Sequence, residues 1–259
     1  MLDLFKSLIQ FGILCRYVVN SEKMIFRRNR ILPLILFGGF LGIFPVLFSQ
    51  SPESKENKLY PEIKVLRPGV YDFGGIIIDQ NDTSFSFEAK CNQISGLVEY
   101  ALVHKNGKTH ESLFTTKIAP RLIHACFLLL KQKPDNFLLQ KEKFSEQEIQ
   151  AFRQKGLEIR VKWDENGSGF RKSMTSMTLN DLSKETLKEK SFVFTGSKVV
   201  EGEYLAQMDG SIIAIYQDSR AVVNAIDELS SNDDVWLPNE VNLPPLGKNV
   251  WISIKLPEL

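Results

Sequence analysis

The residues best suited to chemistry lie in the segment 96–113, which carries Glu99, Lys108, Thr109, His110, Glu111 and Ser112. An imidazole beside carboxylates and a hydroxyl has two obvious uses. His110 and Glu111, with His104 and His124, would make a metal set, because zinc accepts imidazole nitrogen and carboxylate oxygen. Ser112 with His110 and Glu99 would instead supply the hydroxyl, imidazole and carboxylate of a nucleophilic triad. Both uses depend on where the side chains point, and therefore on the local element.

That element reads as a β-hairpin. Asn106-Gly107 is the preferred pair for a two-residue turn in which both positions need positive φ. Such a turn sets Lys105 opposite Lys108, His104 opposite Thr109, Val103 opposite His110 and Ala101 opposite Ser112. His110 then shares a face with Glu99, Lys105, Lys108 and Ser112, while His104 and Glu111 point the other way. One ion cannot take both His104 and His110 without a bulge, so no metal site is expected. The triad fails differently: residues two apart on a strand stand parallel with Cα atoms about 6.5–7 Å apart, and no Gly-x-Ser-x-Gly elbow surrounds Ser112. Glu99, Lys108, Thr109, His110, Glu111 and Ser112 are therefore expected to form a binding surface, with no catalytic, cofactor or metal residue assigned.

Elsewhere the motifs are thin. Asp164-Glu165-Asn166-Gly167-Ser168-Gly169 has the alternate oxygens and sixth-position glycine of a calcium loop, but its twelfth position is Thr175 instead of Glu. Asn166-Gly167 reads better as a hairpin turn. There is no P-loop and no Gly-x-Gly-x-x-Gly phosphate cradle. Cys91 and Cys126 could be bridged in an oxidising compartment, or could be two buried thiols acting as small apolar residues.

The elements that must position these groups are mostly strands. Alternating or clustered β-branched and aromatic residues predict strands at 62–66, 71–79 with a bulge at Gly74-Gly75, 83–91 and 97–105. Further strands are expected at 157–163, 191–195, 204–208, 211–216 and 250–254, with Asp209-Gly210 as a second two-residue hairpin turn. Helices are expected at 120–131, opened by Pro120 and nearly all apolar, at 145–153, and after a cap at Asp218 through residue 229. Without regular βαβ alternation, this order predicts an α+β domain on a largely antiparallel sheet with two or three packed helices.

Composition places the chain in the globular class: 43% of its 259 residues are hydrophobic and 24% charged, with a formal charge of +1 that argues against nucleic-acid binding. The basic stretch Arg27-Arg28-Asn29-Arg30 followed by 18 uncharged residues at 31–48 is the layout of an export signal or membrane anchor. Ser49 suits the −1 position of a cleavage site, Leu47 does not suit −3, and translation starting at Met24 would make the signal conventional. Residues 1–49 are thus expected to be signal or anchor, 50–59 a polar linker, and 60–259 a single domain. Beyond residue 49 remain 26 basic and 29 acidic residues, a formal −3. Any membrane contact is expected only through an uncleaved N-terminal segment.

Gly107-Lys108-Thr109-His110-Glu111-Ser112-Leu113 is followed in order by the apolar stretch 123–130, Val161-Lys162-Trp163 and Phe194-Thr195-Gly196-Ser197. Asp209-Gly210-Ser211-Ile212-Ile213-Ala214 and Leu243-Pro244-Pro245-Leu246-Gly247 complete the series. In this combination the sequence resembles the YdjY-domain proteins, exported bacterial proteins with no established activity. The resemblance implies an extracytoplasmic domain, marks the 107–113 hairpin as its functional surface and assigns no residue a role. Some relatives are described as ferredoxin-like, whereas an iron-sulfur cluster takes four cysteines and two follow residue 49 here. The expected function is a non-enzymatic exported module that binds a protein or small molecule through this hairpin. The alternatives are an accessory protein of an envelope redox or metal system, with His110, Glu111 and Cys126 near a metal or a partner's cofactor, and an enzyme of unrecognised type.

Overall fold

Alternation of apolar and polar residues makes most of the described chain strand. The computed structural model describes residues 60–258 except residue 142, so the expected export segment at 1–49 and the linker at 50–59 fall outside the described residues. An antiparallel meander comes first: β1 (Ile63–Arg67), β2 (Val70–Phe73), β3 (Ile76–Asp79) and β4 (Ser84–Cys91). Then follow β5 (Tyr100–His104), β6 (Ser112–Thr116), α1 (Pro120–Leu129), α2 (Glu146–Gln154), β7 (Glu158–Glu165), β8 (Ser168–Ser173), β9 (Thr178–Asn180) and β10 (Phe192–Phe194). The rest is β11 (Val199–Val200), β12 (Glu203–Tyr204), α3 (Leu205–Asp209), β13 (Ser211–Ala214), β14 (Val223–Ala225), β15 (Trp236–Pro238) and β16 (Asn249–Lys255). The domain is α+β, with a mixed, mostly antiparallel sheet. No helix among the described residues is long and apolar enough to cross a membrane.

The main sheet closes on β4. From β4 the ladder runs through β6, β5, β13, β14 and β10. A bridge between Leu157 and Phe192 joins β10 to the residue before β7, and β16 pairs with β7 on one edge and β4 on the other. One edge of β4 takes β3 at 84–86 and β6 at 90–91, so β1–β3 branch off as a wing.

Helix α1 begins at Pro120 and buries Ile123, Cys126 and Phe127 at helical spacing in the core of the ladder. Phe127 stacks on Phe194 of β10 at 4.1 Å and meets Phe85 of β4 edge-on at 5.1 Å. Burial of a side chain that large is worth about 1.5–3 kcal/mol. Two smaller clusters cover the outside. Helix α2, started by a Ser145/Glu148 capping box, sets Ile149 and Phe152 against Val193 and Ile226. The second cluster groups Tyr100 and Val103 of β5 with Ala214, Ala221 and Tyr216.

Four local expectations are corrected. Gly74-Gly75, at φ +62° and +89°, is the two-residue turn between β2 and β3 in place of a bulge within one strand. Residues 205–209 form α3 and not a strand, with Gly210 closing it in the left-handed conformation. Asp218 caps only a turn, because the β-branched residues after it join the sheet as β14, parallel to β13. Most consequentially, β5 and β6 pair in parallel, with Tyr100 opposite Ser112 and Leu102 opposite Phe114, so the expected hairpin at 107–113 does not exist.

Candidate functional site

Residues 105–111 carry the chain back over the outside of the sheet, from the end of β5 to the start of β6. Such a return commonly takes a helix. Here it needs only about 13 Å, the length of a five-residue strand, and residues 105–111 extended reach about 23 Å. The crossover tightens into a 3₁₀ turn at Thr109–Glu111. It is fastened by its backbone: Glu99 N–H donates to the Glu111 carbonyl at 2.9 Å, and Lys105 N–H to Thr116 at 2.8 Å. The Asn92 side chain donates to the carbonyls of Thr109 (2.6 Å) and Ser112 (2.8 Å). Gly107 packs backbone to backbone on Gly210; a Cβ on Gly107 would lie 2.7 Å from the Asp209 carbonyl oxygen and 3.1 Å from Gly210 Cα.

Lys108 locks the crossover down. Its ammonium donates to the Tyr100 hydroxyl at 2.9 Å and lies 3.5 Å from a Glu111 oxygen and 3.7 Å from a Glu99 oxygen. Tyr100 in turn donates to Asp218 at 3.0 Å and meets the Tyr216 hydroxyl at 3.1 Å. Asp218 also accepts from Arg220 N–H at 2.8 Å, and the Arg220 guanidinium clasps Asp209 through both of its oxygens. Asn224 braces the far side, accepting from Asp218 N–H at 2.6 Å and donating to Thr195 Oγ1 at 2.7 Å.

Electrostatics agree with a lock. Burial disfavours the Lys108 ammonium, but Tyr216, Glu111, Glu99 and Asp218 around it hold its pKa above the ordinary value. Burial and neighbouring Glu111 push the Glu99 carboxyl up, against the pull of Lys108. Burial and Asp218 drive the Tyr100 hydroxyl well above its ordinary range, so it stays protonated and donates.

The structure divides the residues picked from sequence. Glu99, Lys108 and Glu111 come together, with Thr109 held beside them through its carbonyl. Ser112 is fully buried and its hydroxyl donates to the Phe114 carbonyl, so it is no nucleophile partner of His110. His110 is the outward group: its side chain is 79% exposed, with Glu111 3.6 Å away. His104 ends β5 and His124 lies in α1 against Tyr204, so the three histidines are dispersed. Among the described residues, no three or more His, Cys, Asp or Glu side chains group as a metal would require. Cys91 and Cys126 are both free and buried, so they are not bridged. The Cys91 thiol, pushed up to about 11 by burial, donates to the Pro244 carbonyl. Cys126 is inside the core and shares no surface with His110.

Sequence reading missed Tyr100, Tyr216 and Asp218 as parts of the site. The only available signal was Tyr100 in an otherwise aliphatic strand, since Asp218 lies 118 residues away. Three of the segments that carry the family resemblance meet here: 107–113 in the crossover, 194–197 through Thr195, and 209–214 through Asp209 and Gly210.

Fold and site together define an α+β domain with a lysine-locked crossover on the outside of a self-closing sheet. The YdjY domain matches residues 76–255, and the chain belongs to that family. Neither comparison with curated proteins nor comparison with solved structures gave a match.

Proposed function

We propose that this domain works outside the cytoplasm as a non-enzymatic interaction module that docks a partner protein through its 108–111 crossover. One observation carries the reading: Lys108, Glu99, Glu111 and Tyr100 satisfy one another, which leaves His110 outward on a support that cannot sag. An exposed group held rigid before contact loses little entropy on binding. The basic-then-apolar layout at 27–48 supports export.

The test places a photoreactive residue at position 110 of the full chain in intact cells, with exposed Leu182 as the comparison position. A discrete cross-linked product from position 110 alone, weakened by Lys108→Met and found outside the cytoplasm, is the expected result. Equal products from both positions, or none from position 110, would overturn the docking role. Accumulation of the chain in the cytoplasm would overturn export.

A further inference from the structure

A different face carries a second site. Strand β16 runs between β4 and β7 with continuous register on both sides, so its outward residues stand on a rigid, bulge-free surface. Val250, Ile252 and Ile254 point into the core, and Trp251 between them points out, 43% exposed. Its neighbours on the same face of the strand, Asn249 and Ser253, are short and polar and cannot cover an indole. No aromatic partner stacks on it among the described residues. Phe170, the half-exposed ring of β8, lies on the opposite face, stacked on Trp163 at 5.2 Å.

Across the strands, Trp251 pairs with Glu88 on one side and Lys162 on the other, and Lys162 pairs with Arg171 of β8. All four are exposed. The row spans about 14 Å, three interstrand steps of about 4.8 Å. Of the other cations on the face, Arg160 is paired with Glu158 at 2.9 Å and Lys255 with Asp82 at 2.7 Å, while exposed Lys90, opposite Asn249 and two positions from Glu88, adds a third cation to the site. Lys162 and Arg171 form no ion pair among the described residues.

We propose that the Glu88-Trp251-Lys162-Arg171 row binds an acidic polysaccharide. The indole face takes the apolar face of a sugar ring, an amphipathic role suited to Trp. Lys162 and Arg171 take carboxylates, while Glu88, Asn249 and Ser253 take sugar hydroxyls. The charge pattern sets the class. A stacking ring with cations also fits single-stranded nucleic acid, but Glu88 directly beside Trp251 repels a backbone charged at every unit. An anionic bilayer calls for a dense basic cluster, and Lys90, Lys162 and Arg171 spread around Glu88 do not make one. Widely spaced carboxylates among many hydroxyls match the row. This site is separate from the crossover and does not depend on the docking role proposed for it.

The experiment is affinity electrophoresis of the full chain through gels containing hyaluronate, which carries a carboxylate on every second sugar, with dextran as the neutral comparison. Single-stranded DNA and phosphatidylglycerol vesicles are tested for binding in parallel. Hyaluronate is expected to retard the protein at least tenfold more strongly than dextran does. Trp251→Ala and the double change Lys162→Gln, Arg171→Gln should each weaken retardation at least tenfold, and Trp251→Phe should keep part of it, with circular dichroism confirming that every variant is folded. Unchanged retardation in Trp251→Ala would overturn the proposal. So would stronger binding to DNA or vesicles than to hyaluronate, or no retardation at all.

Discussion

His110 and Lys108 stand two positions apart on the crossover and contribute in opposite ways. With its side chain 79% exposed and one carboxylate 3.6 Å away, His110 gives the fold little, so His110→Ala should shift unfolding by no more than about 0.5 kcal/mol. Lys108→Met leaves Glu99 and Glu111 facing each other and Tyr100 without its donor. Because the Lys108 side chain is 39% exposed, solvent screening limits the cost to about 1 kcal/mol. Urea unfolding of both variants checks the contrast, and equal losses would show that the lysine does not lock the crossover. His124 makes a second residue-scale prediction. Burial lowers its pKa from 6.5 to about 4, and Tyr204 lies 2.8 Å from its ring nitrogen. Between those values the unfolded chain binds the proton first, so the contribution of His124 is complete above pH 6.5 and is lost as pH falls towards 4. The loss is at most about 3 kcal/mol. The difference in unfolding free energy between the native chain and His124→Phe should change over that window, and a constant difference would contradict the burial argument.

Among the elements, three Xaa-Gly pairs invite the same local reading and only one follows it. Asn166-Gly167, at φ +50° and +81°, joins β7 to β8 as a two-residue turn with open space around the glycine. Asn106-Gly107 and Asp209-Gly210 make no hairpin; their glycines press together where the crossover meets the end of α3. Gly167→Ala should cost about 1 kcal/mol for the left-handed conformation alone. Gly107→Ala forces a methyl into the Asp209 and Gly210 backbone and should cost about 2–3 kcal/mol. Thermal or urea denaturation separates the two, and the reverse order would mean that the crossover shifts easily.

At the scale of the whole molecule, closure of the ladder hangs on a short contact. Leu157 N–H donates to the Phe192 carbonyl at 2.8 Å, and a Cβ on the preceding Gly156 would overlap the Lys190 carbonyl. Gly156→Ala should therefore part β7 from β10. Hydrogen exchange at Leu157 should speed up strongly, whereas the Ile252 amide in β16, which remains paired on both sides, should stay protected. Unchanged exchange at Leu157 would show that the closing bridge carries no stability of its own.

What the sequence determined by itself was whatever depends on near neighbours. The alternation that makes β4, β7 and β16, Pro120 before an apolar run, the Ser145 cap of α2 and the Asn166-Gly167 turn all rest on contacts within a few residues, and the resemblance that leads to the YdjY family is read from short motifs in order. The residues of the crossover were visible too, as a group, but their arrangement was not. A preferred turn dipeptide favours a hairpin by only about a kilocalorie, and burial of Tyr100, Val103 and Ala214 against Ala221 and Tyr216 outweighs it. The bonds that fix the outcome, from Lys108 to Tyr100 and from Tyr100 to Asp218, include one that spans 118 positions. No local pattern encodes such a contact. Only the closing of the sheet brought those groups together, turned Lys108 inward and left His110 on the outside.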